Sequence, residues 1–173
     1  MVFAAFVIVG TVNAVNITDG LDGLATSVTI PVTLFFVSVA TWWGYSQMGV
    51  FGAALLGGLL AFLLFNFYPA KVFMGDTGSL FLGGAVAGMA FAFDMPLILI
   101  LVGIVYIVET GSVILQVGYF KLTHGKRIFK MSPIHHHFEM CGWSEIKIVT
   151  IFTAVSTIFC ALALFGVMER MVP

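Results

Sequence analysis

Residues 23–70 read GLATSVTIPVTLFFVSVATWWGYSQMGVFGAALLGGLLAFLLFNFYPA, 48 residues without one Asp, Glu, Lys or Arg. A helix crosses a hydrocarbon core of ~30 Å with about 20 apolar residues. The run therefore predicts two membrane-spanning helices joined at the polar turn Gly44-Tyr45-Ser46-Gln47. The flanking sequence extends the pattern. Thr77–Phe93 and Ile148–Met168 are further uncharged stretches, and between Asp94 and Lys121 only Glu109 interrupts an apolar run. Met1–Val15 is apolar but short, as a span clipped at its start would be. The expected architecture is an all-α polytopic helix bundle of about six spans, one membrane domain over residues 1–173.

Composition excludes the other classes. Hydrophobic residues make up 61% of the chain and charged residues 9%, where a soluble domain carries roughly 25% charged. Seven Lys and Arg against eight acidic residues leave a net charge of -1, which is neither a basic field for nucleic acid nor an acidic tail. Met1–Val15 has no basic n-region and no small-residue cleavage site, so it is expected to be a span and not a signal peptide. Cys141 and Cys160 are in no metal or redox spacing and are expected to be free thiols. Gly84 and Gly88 form a small-xxx-small pair of the kind that lets membrane helices approach, here read as ordinary packing.

Six spans place the connectors near 16–24, 67–79 and 120–147 on one side. That side holds Lys71, Lys121, Lys126, Arg127, Lys130 and Lys147; the other holds only Arg170. Six cations against one make the first side cytoplasmic. Most of the polar side chains fall in the same three connectors.

The first connector carries Asn13, Asn16, Asp19 and Asp22, spaced by three so that neighbours share a helix face. Gly20 and Gly23 loosen the backbone beside the carboxylates. The set suits a divalent cation, a sugar or a nucleobase, or only a capped helix end. In the second connector Pro69 breaks the preceding helix and Asp76, Thr77 and Ser79 open the next. Asp76 either caps that helix or holds Mg²⁺, which favours one or two carboxylates plus phosphate oxygens and water. Phe73 is an interfacial anchor or a stacking face. In the third, Ser132-Pro133 reads as an N-cap with Pro in the first turn. His135, His136 and His137 follow; adjacent on a helix they diverge by about 100° each and cannot share one metal, so hydrogen bonding at phosphates suits them better. Glu109, costly in lipid, must face protein or a polar cavity, with Gln116 seven residues later on the same face.

Three strings carry a family resemblance: NAVNITDGLDGLA, NFYPAKVFMGDTGSL and PIHHHFE. Together and in this order they resemble the polyprenyl-phosphate N-acetylhexosamine-1-phosphate transferases, the last string pointing to the phospho-N-acetylmuramoyl-pentapeptide branch. The resemblance covers the whole chain but only the C-terminal half of the family's roughly ten-span fold. It implies Mg²⁺-dependent transfer of phospho-N-acetylmuramoyl-pentapeptide from UDP to undecaprenyl phosphate, giving lipid I and UMP in peptidoglycan synthesis. The setting implied is the cytoplasmic face of the bacterial inner membrane. By the same resemblance Asp76 is the metal-binding and catalytic aspartate, and His135 and His136 are catalytic histidines near the phosphates. Asp22 and Asn66 hold the uracil, Phe73 stacks on it, Asn16 and Asp19 form the wall beside ribose and pyrophosphate, Gln116 lines the cleft, and His137 completes the motif. The family's first half carries an adjacent Asp pair. This chain's aspartates are Asp19, Asp22, Asp76 and Asp94, with no such pair. It is therefore expected to be half a site, inactive alone, with the missing half and a homodimer partner as its protein partners. The competing readings are a sister UDP-N-acetylglucosamine-1-phosphate transferase, a polytopic cation transporter running through Asp19, Asp22, Asp76 and Glu109, and a non-catalytic remnant.

Overall fold

In a computed structural model, residues 1–169 are described, and they are helical throughout apart from turns and connectors. The helices are α1 (Val2–Thr18), α2 (Leu24–Trp43), α3 (Ser46–Asn66), α4 (Gly75–Ala92), α5 (Leu99–Val102), α6 (Ile104–Leu122), α7 (Ile134–Glu139) and α8 (Glu145–Glu169). The protein is a polytopic membrane helix bundle. α2, α3 and α8 are each long and apolar enough to span, and the bent pair Pro96–Val102 plus Ile104–Leu122 supplies a fourth candidate. Of the six expected spans, two fall short of that length or apolarity and a third is bent. α1 has 17 residues, α4 has 18 but spends them on Asp76, Thr77, Ser79 and five glycines, and the fifth segment is not straight. It turns by 83° at Gly103. A Cβ there would stand 2.5 Å from the Leu99 carbonyl oxygen, so only glycine fits the corner.

Sequence periodicity does not say which helix is central, because nearly every face is apolar. The structure puts α2 in the middle: 72% of its apolar window is buried, against 11% for α3 on the rim. α2 packs on α3 and α8, and α1 packs on α4 and α6. In lipid, where apolar burial gives helices little reason to associate, small residues and interhelical hydrogen bonds hold such bundles together. The Thr26 hydroxyl donates to Asn66 Oδ1 on α3 at 2.7 Å, Thr29 Oγ1 shares a hydrogen bond with the Tyr106 hydroxyl of α6 at 2.8 Å, and Ser156 of α8 donates to the Val28 carbonyl at 3.1 Å. At one end Trp43, Tyr45 and Phe93 cluster around the α2–α3 turn. That turn is shorter than expected, since Gly44 alone takes the left-handed conformation (φ 73°) and α3 restarts at Ser46.

The opposite end gathers the three polar connectors. Asn16 reaches Ser79, Asp22 reaches Ala70, and His135 lies under Gly20. What brings α1 onto α4 is Gly83: a Cβ there would lie 2.6 Å from Val12 Cα, a backbone-to-backbone approach. Gly84 and Gly88, the small-xxx-small pair, have nothing within 4 Å; the crossing uses Gly83 instead.

Gly83→Ala is therefore expected to lower bundle stability by about 1–3 kcal/mol through overpacking, and Gly84→Ala by less than ~0.5 kcal/mol, as surface changes do. Thermal unfolding of both variants in one detergent reads the difference. Equal midpoints would mean that the α1–α4 crossing does not depend on Gly83.

Candidate functional site

The site is built where α1 ends and α4 begins. Asn16, on the last turn of α1, donates from Nδ2 to Asp76 Oδ1 at 3.0 Å and to Ser79 Oγ at 2.9 Å. Ser79 in turn donates to the Gly75 carbonyl at 3.1 Å, back-bonding into the first turn of its own helix. Asp76 lies in that first turn, where the helix dipole favours a negative charge. It is not the cap; Met74 occupies that position without a side-chain hydrogen bond. The Asp76 residue is exposed, while its partner Ser79 is fully buried.

Asp19 is the C-cap residue of α1. Burial pushes its carboxyl above the usual range, and the nearby Asp76 charge pushes it further. The two carboxylates are thus close enough for the charge on Asp76 to be felt at Asp19. The ion pairs among the described residues are His135–Glu109 and His136–Glu139, so neither aspartate is neutralised by a Lys or Arg. A hard divalent cation suits this oxygen pair, since Mg²⁺ takes one or two carboxylates and completes its shell with phosphate oxygens and water. Among the described residues no group of three or more His, Cys, Asp or Glu forms a closed protein cage for a metal.

The connectors are fastened to each other by side chains that the resemblance assigns to ligand binding. Asp22 Oδ2 accepts the Ala70 amide at 2.8 Å, tying the first connector to the second. Asn66 is buried; its Oδ1 accepts from Thr26 and its Nδ2 donates to the Val72 carbonyl at 3.0 Å. Gln116 is likewise engaged. Its Oε1 accepts the Ile128 and Phe129 amides, both at 3.0 Å, and its Nε2 donates to the Phe129 carbonyl at 3.1 Å. It tethers the connector after α6. Asn13 turns back to the Val9 carbonyl of its own helix and stays outside the cluster.

Phe73 is 72% exposed. It lines a shallow apolar groove of about 360 Å³ with Phe62, Met74 and Phe81, between α3 and α4. Phe73 lies three residues before Asp76 in the second connector.

The histidines have three different environments. α7 starts at Ile134, with Pro133 in the cap position and no side-chain cap bond, so the expected Ser132 cap is corrected: Pro133 stands just before the helix, not in its first turn. His135 is fully buried, with Nδ1 2.9 Å from Glu109 Oε2. His136 is partly exposed and hydrogen-bonded through Nδ1 to Glu139 one turn on; its other ring nitrogen has no protein partner among the described residues. His137 Nδ1 accepts the Lys130 amide at 3.1 Å, a loop-holding bond. The partners that motif reading did not supply are Asn16 for Ser79, the His135 ring for Gly20 and His135 for Glu109. Glu109 carried the one available signal, an ionisable residue inside an apolar run, yet its partner in a distant connector had none.

The sequence was compared with known proteins. The family described as Glycosyl transferase family 4 matches residues 1–94. Among similar proteins, the phospho-N-acetylmuramoyl-pentapeptide-transferase of Clostridium perfringens (strain 13 / Type A) is 61% identical over 161 residues, 93% of this chain and 50% of that protein. The protein of the same name from Acetivibrio thermocellus is 55% identical over 167 residues, 95% of this chain and 50% of its own. The Clostridium botulinum (strain Eklund 17B / Type B) protein, again of that name, is 61% identical over 150 residues, covering 87% and 46%. The chain thus spans about half the length of the relatives it matches. With the family's region covering more than half of its residues, the chain belongs to Glycosyl transferase family 4.

Proposed function

We propose that this chain forms the C-terminal part of an enzyme that transfers phospho-N-acetylmuramoyl-pentapeptide from UDP to undecaprenyl phosphate, releasing UMP and giving lipid I. The observation that carries the reading is the Asn16–Asp76–Ser79 junction with Asp19 beside it, an unneutralised carboxylate pair where three connectors meet. The similar proteins' names support the same chemistry. The excess of Lys in these connectors supports a cytoplasmic position at the inner-membrane surface. There a soluble nucleotide donor and a lipid phosphate can meet. The cation-transporter reading loses support, because Glu109, the deep carboxylate it needs, is bonded to His135.

In the reaction an oxygen of the lipid phosphate attacks the sugar-linked phosphorus, and the bond from that phosphorus to UMP breaks. Asp76 and Asp19 would hold Mg²⁺, which when bound neutralises pyrophosphate charge and the charge gathering on the leaving phosphate. The Asn16 amide, by donating to Asp76 Oδ1, fixes the direction of the remaining carboxylate lone pairs. His136, oriented by Glu139, presents its second ring nitrogen to a phosphate oxygen. Phe73 stacks on the uracil at the groove edge, and Asp22 and Asn66 shape the backbone around it through Ala70 and Val72. Gln116 and His137 hold the third connector against this surface.

The adjacent Asp pair of the family is not among these 173 residues, so we infer that the chain releases UMP only when a family N-terminal half is supplied. In that reconstituted pair, Asp76→Asn is expected to lower Mg²⁺-dependent UMP release by a factor on the order of 10²–10³, the usual cost of losing transition-state charge stabilisation. Release that survives the substitution would reject the assignment of Asp76, and release from UDP-N-acetylglucosamine in place of the pentapeptide donor would favour the sister transferase. Phe73→Ala is expected to raise KM for the nucleotide donor by roughly 5- to 150-fold, since stacking on a base is worth ~1–3 kcal/mol. An unchanged KM would return Phe73 to the role of a membrane anchor.

A further inference from the structure

We propose that His135 and Glu109 are positioning residues that prop the Asp19–Gly20 turn from beneath, and that His135 does not meet the substrate. The inference rests on the transferase reading above for its activity arm only. Both side chains have no accessible surface, and Nδ1 of His135 lies 2.9 Å from Glu109 Oε2. We assign the shared proton to Nδ1, which donates to Glu109 Oε2 and leaves a lone pair turned outward at Nε2. That nitrogen is buried and has no hydrogen-bond partner. It faces Gly20: a Cβ built on Gly20 would stand 2.3 Å from Nε2 and 2.7 Å from Cε1. A bare lone pair against a Cα–H is a tolerable weak contact, whereas an N–H directed there would be a buried donor with nothing to bond.

The Asp19–Gly20 turn is held from two sides. On one side the Asp22–Ala70 hydrogen bond restrains the turn. On the other stands the imidazole, locked in one tautomer and orientation by Glu109. Glycine is required at position 20 because the ring occupies the place of a side chain. The pair therefore positions the Asp19–Gly20 turn without touching any ligand.

The test labels histidine with ¹⁵N in the 173-residue chain in lipid nanodiscs, assigns the His135 signal by its loss in His135→Asn, and reads its tautomer. The expected signal shows Nδ1 protonated and Nε2 bare. It should persist in Glu109→Gln, whose amide oxygen still accepts, and be lost or shifted in Glu109→Leu and in Gly20→Ala. A proton on Nε2, or a signal indifferent to both latter changes, overturns the proposal. The activity arm, in the reconstituted pair, compares His135→Asn, which keeps a donor near the Nδ1 position, with His135→Gln, which keeps one near Nε2. Positioning predicts that the Asn variant retains at least about tenfold more UMP release, the worth of one charge-assisted hydrogen bond. The reverse order would make His135 a catalytic residue. Absence of UMP release from the unsubstituted pair would reject the transferase reading and leave the tautomer result to decide the prop.

Discussion

The approach of α1 to α4 at Gly83 is the contact on which the rest of the arrangement depends. With no side chain at that position, the two backbones come close enough that Asn16, one helical turn beyond the crossing, spans to both Asp76 and Ser79. Move the helices apart by the width of a methyl group and the amide no longer bridges them. Asp76 would then lose the donor that orients it, and Ser79, fully buried, would lose one of its partners. Such buried polar groups are expensive to strand in an apolar surround. A packing detail well inside the bundle thereby governs the spacing of oxygen atoms at its polar end.

That end is organised by division of labour among polar side chains. Asp22, Asn66 and Gln116 spend their hydrogen-bonding capacity on backbone amides and carbonyls of the connectors. Connectors of this length have no regular structure to satisfy their backbones, and side chains reaching from the helices do that work. Asp19 and the second carboxylate oxygen of Asp76 are left with lone pairs uncommitted. The lysines and arginine of the same end pair with no carboxylate among the described residues. They instead hold carbonyl oxygens, as Arg127 and Lys130 do, or sit over an aromatic ring, as Lys147 does over Trp143.

Much of this was legible in the sequence. The uncharged 48 residues specify α2 and α3, and the clustering of Asn, Asp and His into three connectors anticipates that they converge. Three things were not. The corner at Gly103 was hidden because an apolar run reads the same whether straight or bent, and the steric conflict with the Leu99 carbonyl exists only in three dimensions. The choice of Gly83 over Gly84 and Gly88 depends on which face of α4 meets α1, and an almost uniformly apolar helix carries no periodic signal for that. The engagement of Glu109 with His135 joins a helix to a connector, a pairing that no spacing rule encodes. In a membrane bundle the polar residues say where function gathers, while the apolar majority leaves the geometry of packing unspecified.

The shortness of α7 bears on how the protein is made. Six residues cannot sustain a helix in isolation, because the nucleation cost is never recovered. Its anchors are Glu109 on α6, Gly20 just past α1, and the stacking of Phe138 on Trp143 at the entrance to α8. These come from widely separated parts of the sequence, and the last lies just before α8. Spanning helices insert first and associate afterwards, so α7 acquires its shape only when the bundle around it is complete. The polar end is consequently the last part of the molecule to form, and an incompletely assembled bundle carries its carboxylates without the geometry to use them.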